Sequence, residues 1–332
     1  MPTLYVTEQG ARLEKEYRRL LVTKDDQVLL AVPLSHVTHV VLIGRAGMTT
    51  PAIHALLDAG VGVSLLSWTG RLRGQLLPGL GGNLSLRHAQ YARAQDPAFC
   101  LAVGRAIVQG KLRNSRNALR RLLRSRPRLE PGNSLERLRE SLTRLPQARD
   151  LDELRGLEGM GARAYFSLLR QVVPREWAFP RRSRRPPRDP FNALLSFGYT
   201  LLIQNLLAAC QVVGLDPFDG FFHGDKYNRP ALALDLVEEF RSPVVDSVVL
   251  DLVNHGRLRP DDFQLGREGG YYLTARGMRR FLWAYNRRLN TRVYHPRVGR
   301  ALSYQKIFEV QARLLRKVIE GEEPVYRPFL RR

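Results

Sequence analysis

The residues of this chain best suited to chemistry lie in the stretch GLDPFDGFFHGDKYNRPALALDLVEEFRSP. His223 follows a tight glycine-containing approach. Pro230 then opens a helical pattern that sets Asp235, Glu238 and Glu239 at i, i+3 and i+4, so that three carboxylates share one side. Like charges crowded in this way repel, and a strongly cationic chain has no solubility reason to build them. A divalent cation resolves the conflict, because hard oxygen ligands with one imidazole and no thiolate suit Mg2+ or Mn2+ better than a structural zinc. The alternative is an exposed acidic helix face neutralised by Arg241. A second acidic candidate is Glu158 in LRGLEGMGARAYFSLLR, flanked by Gly156, Gly159 and Gly161, which permit close backbone approach, with Tyr165 one or two turns further on. Taken alone, Glu158 reads as a capping or surface glutamate. The chain carries no P-loop, GxSxG elbow, HExxH helix or dinucleotide fingerprint, so nucleotide hydrolysis and serine hydrolase chemistry have no support.

These residues sit in a cationic chain. Lys plus Arg number 53 against 31 Asp plus Glu, a formal net charge of +22 over 332 residues. An excess of this size argues for a polyanionic partner, nucleic acid first. Its positive charge is concentrated in two places. In AVGRAIVQGKLRNSRNALRRLLRS, the residues Val103, Ile107, Leu112, Leu119 and Leu122 are spaced for one apolar helix face, while Arg105, Lys111, Arg113, Arg116, Arg120, Arg121 and Arg124 follow without an acidic residue until Glu130. The missing glutamates remove the usual i,i+4 pairing of a solvated helix surface and favour phosphate contact. In FPRRSRRPPRDP, the prolines forbid a regular helix around Arg181, Arg182, Arg184, Arg185 and Arg188, which predicts an exposed loop of guanidinium forks for phosphate, with a solubilising loop as the alternative.

The elements that position these residues fall into two groups. Short apolar or alternating runs (TLYVTE, RRLLVT, QVLLAV, THVVLIG, VGVSLLS) predict strands, interrupted by one helix that Thr49 or Thr50 caps and Gly60 ends. The glycine-rich GLGGN at 79–83 marks a boundary, and helical periodicity begins at Leu86. The expected architecture is therefore α+β, with a β-rich domain over 1–85 containing one helix and a larger all-α domain over 86–332. From Pro190 to Leu215 no residue is charged, a length that could span a bilayer. Gln204 and Asn205 side by side at its middle favour a buried core helix instead. The N-terminus lacks a basic stretch followed by an apolar run, so no secretory signal is expected. Two cysteines, Cys100 and Cys210, without CxxC spacing fit a reducing, cytoplasmic setting.

The segments GNLSLRHAQY, GKLRNSRNALRR, LEGMGARAYF, RRPPRDPFNALLSFGYTLL, GLDPFDGFFH, RPALALDLVEEFR and HPRVGRALSYQKIFEVQARLL, in this order and over nearly the whole chain, resemble the CRISPR-associated endonuclease and integrase of the spacer-acquisition machinery, the Cas-one family. The resemblance implies a β-domain followed by a helical domain, and a divalent metal, Mg2+ or Mn2+, held by Glu158, His223 and Glu238. Asp235 is implied as a supporting acidic residue, and Tyr165, Asn192 and Ser196 as polar positions that orient substrate. It implies phosphoryl transfer that joins the 3′-hydroxyl of a short double-stranded DNA to the CRISPR repeat, and cleavage of branched or linear DNA. It implies a homodimer through the β-domain and a small Cas-two partner, with no membrane. The competing readings are a non-catalytic nucleic-acid-binding protein and a metal nuclease of DNA repair.

Overall fold

The computed structural model describes residues 3–78, 83–183, 186–224, 229–266 and 268–331. Strands come first: β1 (Thr3–Val6), β2 (Arg12–Glu16), β3 (Arg19–Lys24), β4 (Gln27–Pro33), β5 (His39–Ile43), β6 (Gly47–Met48), β7 (Gly62–Leu66) and β8 (Leu72–Leu76). Between β6 and β7 lies α1 (Thr50–Asp58), whose first turn is closed by the Thr49 hydroxyl accepting from the Ala52 N–H, with Pro51 just inside. The sequence pattern did not reveal β2, β6 or β8, because their charged and glycine residues break the apolar alternation. One sheet runs β1-β5-β7-β8, with the first three parallel and β8 antiparallel; the other runs β4-β3-β2-β6. β5 separates two cores. Its period-2 alternation sends Val40 and Leu42 into a core with Leu13, Leu20, Leu56 and Val63, and sends Val41 and Ile43 into the larger core of the helices.

Helices follow: α2 (Leu84–Ala94), α3 (Pro97–Ser125), α4 (Ser134–Arg144), α5 (Leu151–Val172), α6 (Pro190–Val213), α7 (Ala231–Val237), α8 (Ser247–Asn254), α9 (Ala275–Asn290) and α10 (Tyr304–Ile319). Two hairpins punctuate this helical part, β9 (Phe263–Leu265) with β10 (Tyr271–Leu273), and β11 (Arg292–His295) with β12 (Arg300–Ser303). Of the boundary at 79–83, residues 79–82 lie outside the described residues. The uncharged segment is α6, and most of its side chains are buried inside the protein. Its amides are matched across elements: Gln204 Oε1 accepts from the Ser64 hydroxyl of β7 at 2.9 Å, and Asn205 Oδ1 accepts from the Tyr285 hydroxyl of α9 at 2.8 Å.

Two glycines close the helices around the centre of this part. A Cβ at Gly161 on α5 would run into Leu112 of α3, so only hydrogen lets the two helices meet there. A Cβ at Gly220 would lie 2.7 Å from the Ala231 carbonyl carbon, so the loop before His223 rests against the start of α7.

Candidate active site

Lys111 is the pivot. The heptad-like spacing of Gly104, Val108, Lys111 and Ser115 puts it on the buried face of α3. Its ammonium pairs with Glu158 of α5 and stands 2.6 Å from Glu238 Oε2 at the end of α7. This corrects the expectation that Lys111 belongs to an outward phosphate-binding face; polarity suggested solvent, but two carboxylates from distant stretches hold it inside. Arg113, two residues and about 200° further round the helix, is exposed, as are Arg120 and Arg124. Glu238 is the most enclosed of the acidic pair, with a side chain 4% exposed against 24% for Glu158. Burial would raise its carboxyl, but Arg241 at 3.0 Å, Lys111 and His223 outweigh that and hold it down at about 2.

His223 enters through its loop. Asp235 of α7 accepts the backbone N–H groups of Phe221 (2.7 Å), Phe222 (3.0 Å) and His223 (2.8 Å), and its Oδ1 also meets the His223 ring Nδ1 at 2.7 Å. With Nδ1 committed, Nε2 is the ring nitrogen free for a ligand, and it lies 3.8 Å from Glu238 Oε1. Asp235 therefore acts on the histidine and its loop.

Glu239 does not share the side of Asp235 and Glu238. Consecutive helical residues project about 100° apart, and α7 gives way after Val237 to a turn and a π-helical stretch over Arg241–Asp246. Glu239 points the other way, accepting from Gln311 Nε2 (3.0 Å), the Phe329 N–H (2.5 Å) and the Tyr326 hydroxyl. Burial pushes its carboxyl up to about 8. Neither it nor its neighbours form an exposed acidic face, so Arg241 does not act as a surface neutraliser.

The remaining polar candidates are occupied by structure. The Tyr165 hydroxyl donates to Asp246 at 2.9 Å, and Tyr199 donates to the same carboxylate at 2.5 Å. Asn192 Oδ1 accepts from Arg182 (2.7 Å) and from the Ser183 N–H (2.9 Å), and the Ser196 hydroxyl accepts from Arg182 at 3.1 Å. Arg182 is thus an inward anchor of the basic loop, also set against the Tyr199 ring at 5.5 Å. Arg181 and Arg188 are exposed, and Arg184 and Arg185 lie outside the described residues. Sequence reasoning missed Asp246 and Tyr199; the one signal was the charge of Asp246 inside an otherwise apolar run.

The donor set fits a divalent ion. Two carboxylates hold the Lys111 ammonium between them, and a free imidazole nitrogen lies 3.8 Å from the other oxygen of Glu238. Glu238 Oε2 is buried and accepts no well-aligned hydrogen bond, so only charge holds it, and a spherical cation would satisfy it equally. As they stand, no three Asp, Glu, His or Cys side chains among the described residues close into a coordination cluster; the lysine is interposed.

A family model described as CRISPR associated protein Cas1 matches residues 4–287. The chain belongs to the Cas1 family. CRISPR-associated endonuclease Cas1 3 of Thermus thermophilus is 42% identical over 328 residues, spanning 98% of this chain and 96% of the relative. CRISPR-associated endonuclease Cas1 1 of Chlorobaculum tepidum is 35% identical over 335 residues, spanning 99% and 98%. Among solved structures, a casposase bound to integration product superposes with a TM-score of 0.88 at 25% identity, over 98% of this chain and 93% of that one. A Cas6-RT-Cas1–Cas2 complex gives 0.84 at 27%, over 98% of this Cas1 chain and 36% of the other.

Proposed function

We propose that this Cas1 protein is a divalent-metal-dependent DNA endonuclease and integrase that inserts short DNA segments into a CRISPR array in the cytoplasm. The observation that carries the reading is that Glu158 and Glu238, from distant stretches, share the buried Lys111 ammonium while His223 Nε2 lies 3.8 Å from Glu238. Those three residues would hold Mg2+ or Mn2+, which supplies Lewis-acid polarisation of a phosphodiester when bound. Asp235 keeps the His223 ring turned so that Nε2 faces the centre. Arg241 offsets the charge of Glu238. Because Glu158 and His223 are more exposed than Glu238, the substrate phosphate comes in over them. Arg181 and Arg188 of the basic loop serve the duplex through phosphate contacts, with Arg113 as an outlying contact, and such binding is steeply salt-dependent and weakly sequence-selective.

The names of the similar proteins support DNA and a Cas2 protein as partners. For a homodimer, the supporting feature is β4, an edge strand that leaves Val28, Leu29 and Leu30 about half exposed in a row; such an edge is a template for pairing with a second copy. The division at 79–83 then separates a pairing unit from a catalytic one. The test is incubation with branched DNA and Mn2+, with and without chelator. Metal-dependent products that vanish in Glu158→Ala and His223→Ala, with DNA binding retained, are expected. Full activity in either variant overturns the metal assignment.

A further inference from the structure

Of the 53 cationic residues in the chain only six are lysines, Lys15, Lys24, Lys111, Lys226, Lys306 and Lys317; the rest are arginines. Lys111 is the buried one among those described, with a side chain 11% exposed. It stands where an arginine would clamp two carboxylates better. A guanidinium offers a rigid fork that matches carboxylate oxygens, whereas an ammonium is a compact, strongly hydrated point charge on a flexible stem. The hold on Lys111 is also thin in hydrogen bonds. Its ammonium carries three donors, yet among the described residues it makes one hydrogen bond, to Glu158; the contact with Glu238 Oε2 at 2.6 Å is charge without alignment.

The charges here cancel, Glu158 and Glu238 against Lys111 and Arg241. A divalent ion added to that balance leaves an excess of positive charge in a poorly solvated place, where like charges repel strongly, so one of the two resident cations has to move. Arg241 is held between Glu238 at 3.0 Å and the Tyr199 ring, 4.6 Å from its centre. Lys111 has a way out. Glu158 is 24% exposed against 4% for Glu238. Beside it α5 carries Gly156, where an added Cβ would meet nothing within 4 Å, and Gly159, where it would meet the Arg163 guanidinium at 3.7 Å.

We propose that Lys111 is an exchangeable counterion: it yields its place between Glu158 and Glu238 to the divalent ion and carries its ammonium outward past Glu158 to grip the incoming phosphodiester. The proposal rests on the metal reading above and adds a gate to it. Without metal the lysine keeps the carboxylates together and its own charge spent. With metal the same charge becomes available to DNA, so loading of the site and grip on the phosphate are coupled through one side chain.

The test is a lysine footprint on the full-length protein, read by mass spectrometry after brief acetylation with an N-hydroxysuccinimide ester. It needs no substitution. In chelator, Lys111 is expected to react far more slowly than the exposed Lys15, Lys306 and Lys317. With Mn2+ its rate is expected to rise at least about tenfold, the mark of an ammonium moved from mostly paired to mostly free, while those three change less than about twofold. Adding a blunt duplex to the Mn2+ form is expected to slow Lys111 again, and adding it in chelator to leave the Lys111 rate as it was. Mn2+ binding is followed in parallel by loss of the free ion's electron paramagnetic resonance signal. In Lys111→Met that binding is expected to tighten about tenfold, because no ammonium has to leave first. Mn2+ that binds the parent and not Glu158→Gln, with Lys111 still slow, overturns the exchange alone. A fast Lys111 that duplex does not protect overturns the phosphate contact. Absence of Mn2+ binding overturns the metal reading and the exchange with it.

Discussion

Asp235 Oδ1 meets His223 twice, at the backbone N–H and at the ring Nδ1, 2.8 and 2.7 Å away. One oxygen thereby fixes where the loop ends and which ring nitrogen faces Glu238. In Asp235→Asn the amide brings an NH2 donor into a place that four donors already fill. The expected result is a stability loss of about 2–4 kcal/mol, because charge-assisted hydrogen bonds are worth roughly 1.5–3 each, and strand joining slower by about 10- to 100-fold. Denaturant unfolding and single-turnover joining measure the two; a variant with parental joining rates shows that the aspartate does not position the histidine.

Lys111→Met leaves Glu158 and Glu238 facing each other without their shared cation. Breaking a buried pair of this kind costs about 3–5 kcal/mol, so thermal unfolding in chelator should move well below that of the parent. Added Mn2+ should recover more of the loss in the variant than it gives the parent, since no ammonium competes. Indifference of the variant to Mn2+ removes these carboxylates from the metal site.

Gly161 and Gly156 lie on the same helix and predict opposite outcomes. At Gly161 a methyl group meets Leu112, whereas at Gly156 it meets nothing within 4 Å. Gly161→Ala should destabilise by about 1–3 kcal/mol through overpacking and push Lys111 away from Glu158. Gly156→Ala should be stabilising by about 0.5–1 kcal/mol. Paired chemical denaturation curves decide, and equal effects at the two positions contradict the α3–α5 packing.

His39 is buried in β5, and burial lowers its pKa from 6.5 to about 4. Its Nε2 lies 2.9 Å from the Ser64 hydroxyl, which donates to Gln204, and its Nδ1 has no hydrogen-bond partner among the described residues. The folded protein keeps this ring neutral while the unfolded chain takes up a proton near pH 6.5. Stability present above pH 6.5 is therefore lost progressively as pH falls toward 4, by about 3 kcal/mol at 1.36 kcal/mol per unit. The melting temperature of His39→Gln should fall less steeply than that of the parent across this window. Parallel curves mean that another group sets the acid sensitivity.

Val28→Lys combined with Leu30→Lys places like charges on the exposed strand β4. If the proposed homodimer pairs through this edge, light scattering after gel filtration should show a dimer for the parent and a monomer for the variant at the same concentration, with little change in melting temperature because neither side chain is buried. A persistent dimer moves the interface elsewhere.

Much of the architecture was legible because burial and periodicity coincide: HVVLI reads as a buried strand, and the apolar stripe of α3 reads as a core face. At the site the residue pattern singled out His223 and Glu238, whereas Glu158 entered the ligand set only through the family resemblance, and the pattern misplaced Lys111 and Glu239. A lysine among arginines reads as solvent-facing unless the two carboxylates opposite it are known, and those come from other helices. Adjacent glutamates look alike in sequence; only the packing of α10 and the chain beyond Pro324 against one of them tells them apart. Asp235 was visible as an acid but not as an anchor, since its partners are backbone N–H groups of a loop whose course the side chains do not encode.

The Glu239 pocket ties distant parts of the molecule into one lock. Its stoppers are Tyr326 and the Phe329 N–H, and Asn114 of α3 grips the Phe329 carbonyl at 2.8 Å and the Arg331 N–H at 2.9 Å. A segment without helix or strand thus seals the rear of the wall that bears Lys111 and Glu238 on its front. Clipping the polypeptide at Tyr326 would flood that pocket with water and loosen the wall of Lys111 and Glu238 from behind, so purification handles belong at the opposite terminus.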